Sequence, residues 1–248
     1  MFSGKTVMVT GGGKNIGRRI ALDFANLGAN VVVCDYSEAD ALKTAEDVRA
    51  LGRGAIAAVC DVRDRAKIFE YVKQAEEEFG RIDVLVNNAG GSAWLLNKLS
   101  AFVDAEPETL DFVLDTNIKG AMNCTQAALK SMIKAKSGKI INMSSVAAVC
   151  GLQERVDYSA AKAALIGMTK ALAMEVGKYN ICVNCISPGA IAKEGYEKPQ
   201  HMTFLGENGR GGEPKDISDT VLFLAASDYI TGQNIIVDGG RTLGPGAR

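Results

Sequence analysis

The sequence predicts an α/β fold, a doubly wound parallel sheet of about seven strands with helices on both faces. Three observations predict it. Short β-branched runs alternate with longer helical patterns along the whole chain. Most of the runs are continuously apolar rather than alternating, as strands covered on both faces must be. The 248 residues hold no internal repeat beyond this alternation, no low-complexity tract and no Pro/Gly/Ser linker, so a single domain over 1–248 is expected.

The elements follow in order. "KTVMVT" (5–10) opens as a strand and leads through a glycine-rich loop into a helix near 16–28. "NVVVCD" (30–35) precedes a helix near 38–51, and "AIAAVC" (55–60) precedes one near 64–79. "IDVLVN" (82–87) is followed by a polar and apolar loop, then a long helix near 107–135. "GKIINMS" (138–144) leads to a helix near 157–179, and "ICVNCIS" (181–187) to an irregular stretch with six glycines, 189–213. A long loop of that kind is expected to be either a substrate lid or disordered, and a lid is the reading taken. A helix near 214–226 and the strand "QNIIVDG" (233–239) close the fold. Right-handed crossovers put the carboxyl ends of the strands on one edge, where ligands bind.

Composition narrows the partners. Apolar residues make up 47% and charged residues 23%, with 28 Lys+Arg against 29 Asp+Glu. Disorder and electrostatic nucleic-acid binding are therefore not expected, and the partner is a small neutral or amphipathic molecule. No run approaches the roughly 18 apolar residues of a membrane span. The start, "MFSGKTVMVTGG", lacks a basic signal and a cleavage site, so a cytoplasmic protein is expected. The six cysteines fit that compartment as reduced residues. Cys182 and Cys185 have C-x-x-C spacing, but on a strand residues three apart face opposite sides, so no redox or metal site is expected.

"TGGGKNIGRR", Thr10 to Arg19, follows a strand and opens a helix. Free amides and the helix dipole then face one point, which suits a pyrophosphate. Asp35 ends the next strand, where a carboxylate can accept hydrogen bonds from both adenosine-ribose hydroxyls. "YSAAK" sets Tyr158 and Lys162 four residues apart on one helix face. Ser145 lies 13 residues before Tyr158 at a strand end, and Asn117 lies in the helical "DTNIKG".

With these motifs the chain resembles the short-chain dehydrogenases/reductases of the compact, single-domain, Rossmann-like branch. The resemblance covers nearly all of it, to "SDYITGQNIIVDGG". The family pattern T-G-x-x-x-G-x-G falls on Thr10, Gly11, Asn15 and Gly17, with Asn15 in place of a glycine. Asparagine enters left-handed backbone conformations at modest cost, so the turn is expected to survive. The resemblance implies cofactor contacts from Gly11, Lys14, Asn15, Ile16 and Gly17 in this loop. It further implies Asp61 and Val62 beside the adenine, and Asn88, Ala89 and Gly90 of "NNAG". Pro188, Gly189 and Ile191 would lie under the nicotinamide. In the family a base at Lys14 accompanies NADP and an acid at Asp35 accompanies NAD. A carboxylate about 4 Å from a 2′-phosphate meets a repulsion of a few kcal/mol per charge at an effective dielectric near 20. An exposed lysine recovers less, so NAD is favoured over NADP.

The resemblance makes Asn117, Ser145, Tyr158 and Lys162 a catalytic tetrad, and the chemistry accounts for the residue types. Hydride exchange between a carbinol carbon and nicotinamide requires a proton to move at the oxygen. Tyr158 is the expected general acid/base, with the Lys162 ammonium lowering its pKa and the same lysine holding the nicotinamide ribose. Ser145, rather than its neighbour Ser144, would hydrogen-bond the reacting oxygen. Asn117, by resemblance, would position a water connecting Lys162 to solvent.

The family commonly has threonine where Lys193 stands, so Lys193 is either a solvated lid residue or a contact to an acidic substrate group. His201, the sole histidine, is not a base candidate. Trp94, Leu95, Leu96, Tyr196, Met202 and Phe204 would give apolar substrate walls, with Lys98, Gln153, Glu154 and Arg155 adding polarity. The expected substrate is a partly apolar secondary alcohol or ketone of hydroxysteroid or 3-oxoacyl type. A sugar or polyol remains the alternative. A non-catalytic nucleotide-binding scaffold would lack a tetrad member, and an epimerase of the longer branch would need a larger C-terminal region. The resemblance also implies a homotetramer through the helices near 107–135 and 157–179.

Overall fold

The computed structural model describes residues 1–193, 203–205 and 210–244. The strands are β1 Thr6–Thr10, β2 Asn30–Asp35, β3 Ala55–Val59, β4 Val84–Asn87, β5 Gly138–Met143, β6 Ile181–Pro188 and β7 Asn234–Val237. They form one parallel sheet in the order β3-β2-β1-β4-β5-β6-β7. The helices are α1 Asn15–Asn26, α2 Glu38–Ala50, α3 Arg65–Phe79, α4 Pro107–Leu114, α5 Gly120–Ala135, α6 Ala147–Cys150, α7 Val156–Val176 and α8 Pro214–Ala226.

Every residue of β1 is buried, because alternate side chains enter two separate cores. Val7 and Val9 pair in register with Val31 and Val33 on one side and with Val84 and Val86 on the other. On that face they meet Ile20 and Phe24 of α1, Val48 of α2 and Val221 of α8. Met8, Val32 and Leu85 point the opposite way, into a core with Ile68 of α3, Met132 of α5 and Val176 of α7. The continuous apolar runs are thus two interleaved faces, each with its own helical layer.

The helix expected over 107–135 is interrupted. After α4 the backbone makes a π-helical turn, Asp115–Lys119, before α5 resumes. The apolar spacing is helical on both sides, so periodicity does not register the extra residue. Such turns recur at functional sites, and Asn117 lies within this one. The helix expected to 179 ends at Val176 and tightens into a 3₁₀ turn, Gly177–Tyr179. The 91–107 stretch contains two 3₁₀ turns, Ala93–Leu96 and Phe102–Asp104.

Strand order reverses between β1 and β4, so the loops leaving these two strands part and open a crevice at their carboxyl ends. Both ends of the irregular 189–213 stretch are tied together. Ile191 pairs with Gly212, and the Ala192 amide donates to Gly212 O at 2.8 Å. Tyr196, His201 and Met202 lie outside the described residues.

Candidate active site

Thr10 holds the crevice at the switch point. Its Oγ1 accepts from the amides of Asn88 and Ala89, at 3.0 and 2.9 Å. The Asn88 side chain returns two bonds, to Thr10 O at 3.0 Å and Gly11 O at 3.1 Å. The glycine loop after β1 and the "NNAG" turn after β4 are therefore one fixed unit. Gly11 has φ of 61°, and a Cβ on Gly17 would lie 1.9 Å from Gly11 O. Only glycine fits there, and the start of α1 is drawn tightly under the loop. Asn15 adopts φ of 48°, the left-handed conformation that its place in the turn demands.

The first turn of α1 carries no acidic side chain, and Lys14 at the N-cap makes no side-chain cap bond. Amides at a helix start capped by no side chain suit the negative charge of a phosphate. The cradle therefore fits a dinucleotide pyrophosphate. Asp35 lies beside it, almost fully buried at the end of β2. Its Oδ2 accepts from the Gly13 amide at 2.9 Å and its Oδ1 from the Ser37 amide at 3.0 Å. Each oxygen keeps lone-pair capacity for a further donor.

Lys14, expected to contact the cofactor, is held elsewhere. Its Nζ pairs with Asp40 Oδ2 at 2.8 Å, and the same pairing holds the Asp40 carboxyl below the usual carboxylate range. Asp40 comes from the first turn of α2, so its approach depends on packing that the loop sequence does not contain. Asp61, placed beside the adenine, is gripped by Arg63 through bonds of 2.6–3.0 Å. Val62 is buried against Gly120.

The catalytic candidates converge at the ends of β4, β5 and β6. Lys162 is buried, and its Nζ donates to Met143 O at 2.8 Å. A Cβ on Gly90 would meet both Lys162 Nζ at 3.0 Å and Asn117 Oδ1 at 2.3 Å, so these three positions touch one point. Asn117 Nδ2 donates to Gly91 O at 2.7 Å and Val113 O at 2.8 Å, while its Oδ1 accepts from the Gly91 amide at 3.2 Å. One bond pins the loop after "NNAG" onto the π-helical turn, and the other closes on the preceding helix α4. The oxygen remains the side able to accept another donor.

Adjacent serines part as strand geometry requires. Ser144 Oγ donates to Lys162 O at 2.8 Å and fastens α7 to the sheet. Ser145 Oγ accepts from the Ala147 amide at 3.1 Å, and the serine lies close enough to Tyr158 to favour its phenolate. Below them Asn87 donates to Asn142 at 2.8 Å, and Asn142 donates to Thr169 of α7 at 2.8 Å. This buried relay fixes α7 relative to β4 and β5.

One electrostatic expectation is corrected. Burial pushes the Tyr158 phenol above its usual range, opposed by the Ser145 hydrogen bond and by Arg155. Lys162 Nζ lies over the Tyr158 ring, 5.6 Å from the centroid, and bonds to Met143 O. Its own pKa is lowered by burial to about 8. Arg155, treated from sequence only as wall polarity, is a further site residue; its place at the helix start three residues before Tyr158 was the available signal.

Lys193 is not simply solvated, since its Nζ lies over the Trp94 ring, 4.7 Å from the centroid. Burial and Arg155 lower its pKa. Leu95 packs over Gly91, yet it is exposed, as are Leu96 and Phe204. All six cysteines are free. Among the described residues no group of His, Cys, Asp and Glu could hold a metal, and no helix is long and apolar enough to cross a membrane.

The model of the short chain dehydrogenase family matches residues 5–201. The chain is 40% identical to a (2S)-[(R)-hydroxy(phenyl)methyl]succinyl-CoA dehydrogenase subunit of Thauera aromatica, over 96% of this chain and 97% of that one. It is 38% identical to a 3-oxoacyl-[acyl-carrier-protein] reductase of Thermotoga maritima, over 98% and 99%. A crystal structure of a short chain dehydrogenase from Mycobacterium paratuberculosis bound to NAD superposes with a TM-score of 0.89 at 29% identity, covering 98% and 99%. The sheet order, the glycine cradle and these matches together place the chain in the short-chain dehydrogenase/reductase family of oxidoreductases.

Proposed function

We propose that the protein interconverts a secondary alcohol and a ketone using NAD, with Tyr158 moving the proton at the substrate oxygen. The observation that carries this reading is the convergence of Tyr158, Ser145, Lys162 and Asn117 on the crevice beside the phosphate cradle. Bound there, the nicotinamide would accept a hydride in one direction and supply it in the other. The balanced reaction is alcohol plus NAD⁺ giving ketone, NADH and a proton.

The chain's own residues divide the remaining work. Gly11, Asn15, Ile16 and Gly17 would receive the pyrophosphate, and Asp35 the adenosine-ribose hydroxyls. Asp61 and Val62 would border the adenine. Asn88, Ala89 and Gly90 would wall the crevice, with Pro188, Gly189 and Ile191 under the nicotinamide. Ser145 holds the substrate oxygen against the Tyr158 hydroxyl. Lys162 binds ribose hydroxyls and connects Tyr158 to the Asn117 oxygen, the route by which a proton reaches solvent. Burial keeps Tyr158 protonated, so it is ready as the acid for ketone reduction; alcohol oxidation requires its proton to be drawn off.

NAD is preferred because two carboxylates, Asp35 and Asp40, border the place a 2′-phosphate would occupy, and Lys14 is already paired with one of them. The substrate is assigned to the 3-oxoacyl type, supported by the relatives named for a succinyl-CoA and a 3-oxoacyl substrate. A homotetramer in the cytoplasm is the assembly and location we assign by family resemblance. The test is a panel of 3-hydroxyacyl thioesters, hydroxysteroids and polyols, assayed separately with NAD and NADP. Fastest turnover of a 3-hydroxyacyl thioester with NAD is expected; preference for a polyol, or for NADP, would overturn the corresponding part.

A further inference from the structure

Helix α2 is fastened to the phosphate loop along one face. Asp40, Thr44 and Asp47, spaced four and three residues apart, meet Lys14, Gly13 and Arg18 in turn. Lys14 Nζ pairs with Asp40 Oδ2 at 2.8 Å, Thr44 Oγ1 donates to Gly13 O at 3.1 Å, and Arg18 pairs with Asp47 at 2.6 Å. We propose that this docking helps select the cofactor: Gly13, by carrying no side chain, admits Asp40 to the loop, and Asp40 holds the Lys14 ammonium that would otherwise serve a 2′-phosphate. The inference rests on the NAD reading above and names residues that act beside Asp35.

Gly13 is the joint of this arrangement. A Cβ there would lie 2.6 Å from Asp40 Cβ, 3.0 Å from the Asp40 carbonyl carbon and 2.9 Å from Asp35 Oδ2. Its backbone lies outside the left-handed region, so the neighbours, and not the turn, exclude a side chain. Any larger residue would push α2 away from the loop and take Asp40 with it. The Gly13 amide also donates to Asp35 Oδ2 at 2.9 Å, so this one residue is in contact with both carboxylates at the ribose end of the site.

The charges explain why the pairing matters. The Lys14 side chain is largely exposed and Asp40 largely covered, so the lysine is the partner free to move. Released, its ammonium would be attracted to the extra charge of a 2′-phosphate. Paired with Asp40, the two groups nearly cancel at the distance of a ligand, and Asp35 is left to repel that phosphate. Selection against NADP then has two separable parts, repulsion by Asp35 and withdrawal of Lys14 by a residue of a different element.

The test is calorimetric binding of NADH and NADPH to the substrate-free protein in four forms: the parent, Asp40→Asn, Lys14→Met and the two together. Asp40→Asn keeps the side-chain shape and should tighten NADPH binding about tenfold, with NADH changed by no more than about twofold. Lys14→Met should weaken NADPH binding about fivefold in the Asp40→Asn background and by no more than about twofold in the parent. Gly13→Ala should shift the preference towards NADPH in the same direction, and adding Lys14→Met should reverse that shift. Equal effects of Lys14→Met in the two backgrounds, or NADPH binding indifferent to Asp40→Asn, would overturn the proposal. A folded Gly13→Ala protein with the parent's preference would overturn the part assigned to Gly13. The NAD reading fails separately, if the parent binds NADPH more tightly than NADH. The cycle decides the proposal even then, because it reads the coupling between Lys14 and Asp40 and not the parent's preference.

Discussion

Lys162 makes the clearest conflict between stability and function in this fold, and its replacement by Met has a calculable effect. The ammonium is buried and donates to Met143 O at 2.8 Å, and burial lowers its pKa from 10.5 to about 8. At ~1.36 kcal/mol per pH unit, that difference costs the folded protein about 3 kcal/mol at neutral pH. The sign follows from proton binding. Between about 8 and 10.5 the unfolded chain holds the proton and the folded chain releases it, so stability rises with pH across this window. Below about 8 both states are protonated and the full cost remains. Lys162→Met removes this cost but leaves Met143 O without its donor, a loss of ~1–2 kcal/mol. The variant should therefore be more stable than the parent by about 1–2 kcal/mol at pH 7, and less stable by a similar amount above pH 10.5. Urea unfolding of both proteins without cofactor, from pH 6 to pH 11, measures the difference. A difference that does not change sign, or a variant less stable at pH 7, would refute the electrostatic account of this lysine.

Other predictions follow the same geometry. Gly17→Ala would force a Cβ to 1.9 Å from Gly11 O, so it should abolish dinucleotide binding measured by calorimetry and destabilise the fold by ~1–3 kcal/mol. Unchanged affinity would disprove the tight apposition. Asp35→Ala with Asp40→Ala removes both carboxylates and releases Lys14, so the NAD to NADP ratio of kcat/KM should fall about tenfold or more. A ratio indifferent to both changes would remove these residues from cofactor choice. Asn15→Gly should be tolerated, whereas Asn15→Ile should destabilise by ~1–2 kcal/mol, because a β-branched residue resists φ of 48°. Equal melting temperatures for the two would contradict this.

Much of the sheet was legible because both faces of the central strands are covered, and β2 therefore reads as the unbroken "NVVVCD" that the structure holds at Asn30–Asp35. The phosphate loop was legible for a different reason: Gly11, Asn15 and Gly17 are demanded by backbone shape within a few residues of one another. Long-range packing was not legible. That Lys14 is taken by Asp40 depends on where α2 docks, and the π-helical turn around Asn117 leaves the helical period intact on either side. The raised pKa of Tyr158 was not legible because Y-x-x-x-K spacing says that a lysine is near, but not how deeply the phenol is buried. The choice of Ser145 over Ser144 rested on spacing alone; in the structure one serine faces Tyr158 and the other the α7 backbone.

The central claim is that Tyr158 moves the proton at the substrate oxygen, and Tyr158→Phe tests it most directly because the ring and its packing are retained. NADH affinity, followed by nicotinamide fluorescence, should stay within a few-fold of the parent. Hydride transfer in a single turnover with a 3-oxoacyl substrate should fall by about 10²–10⁴. A variant that binds NADH and transfers hydride at the parent rate would contradict the account.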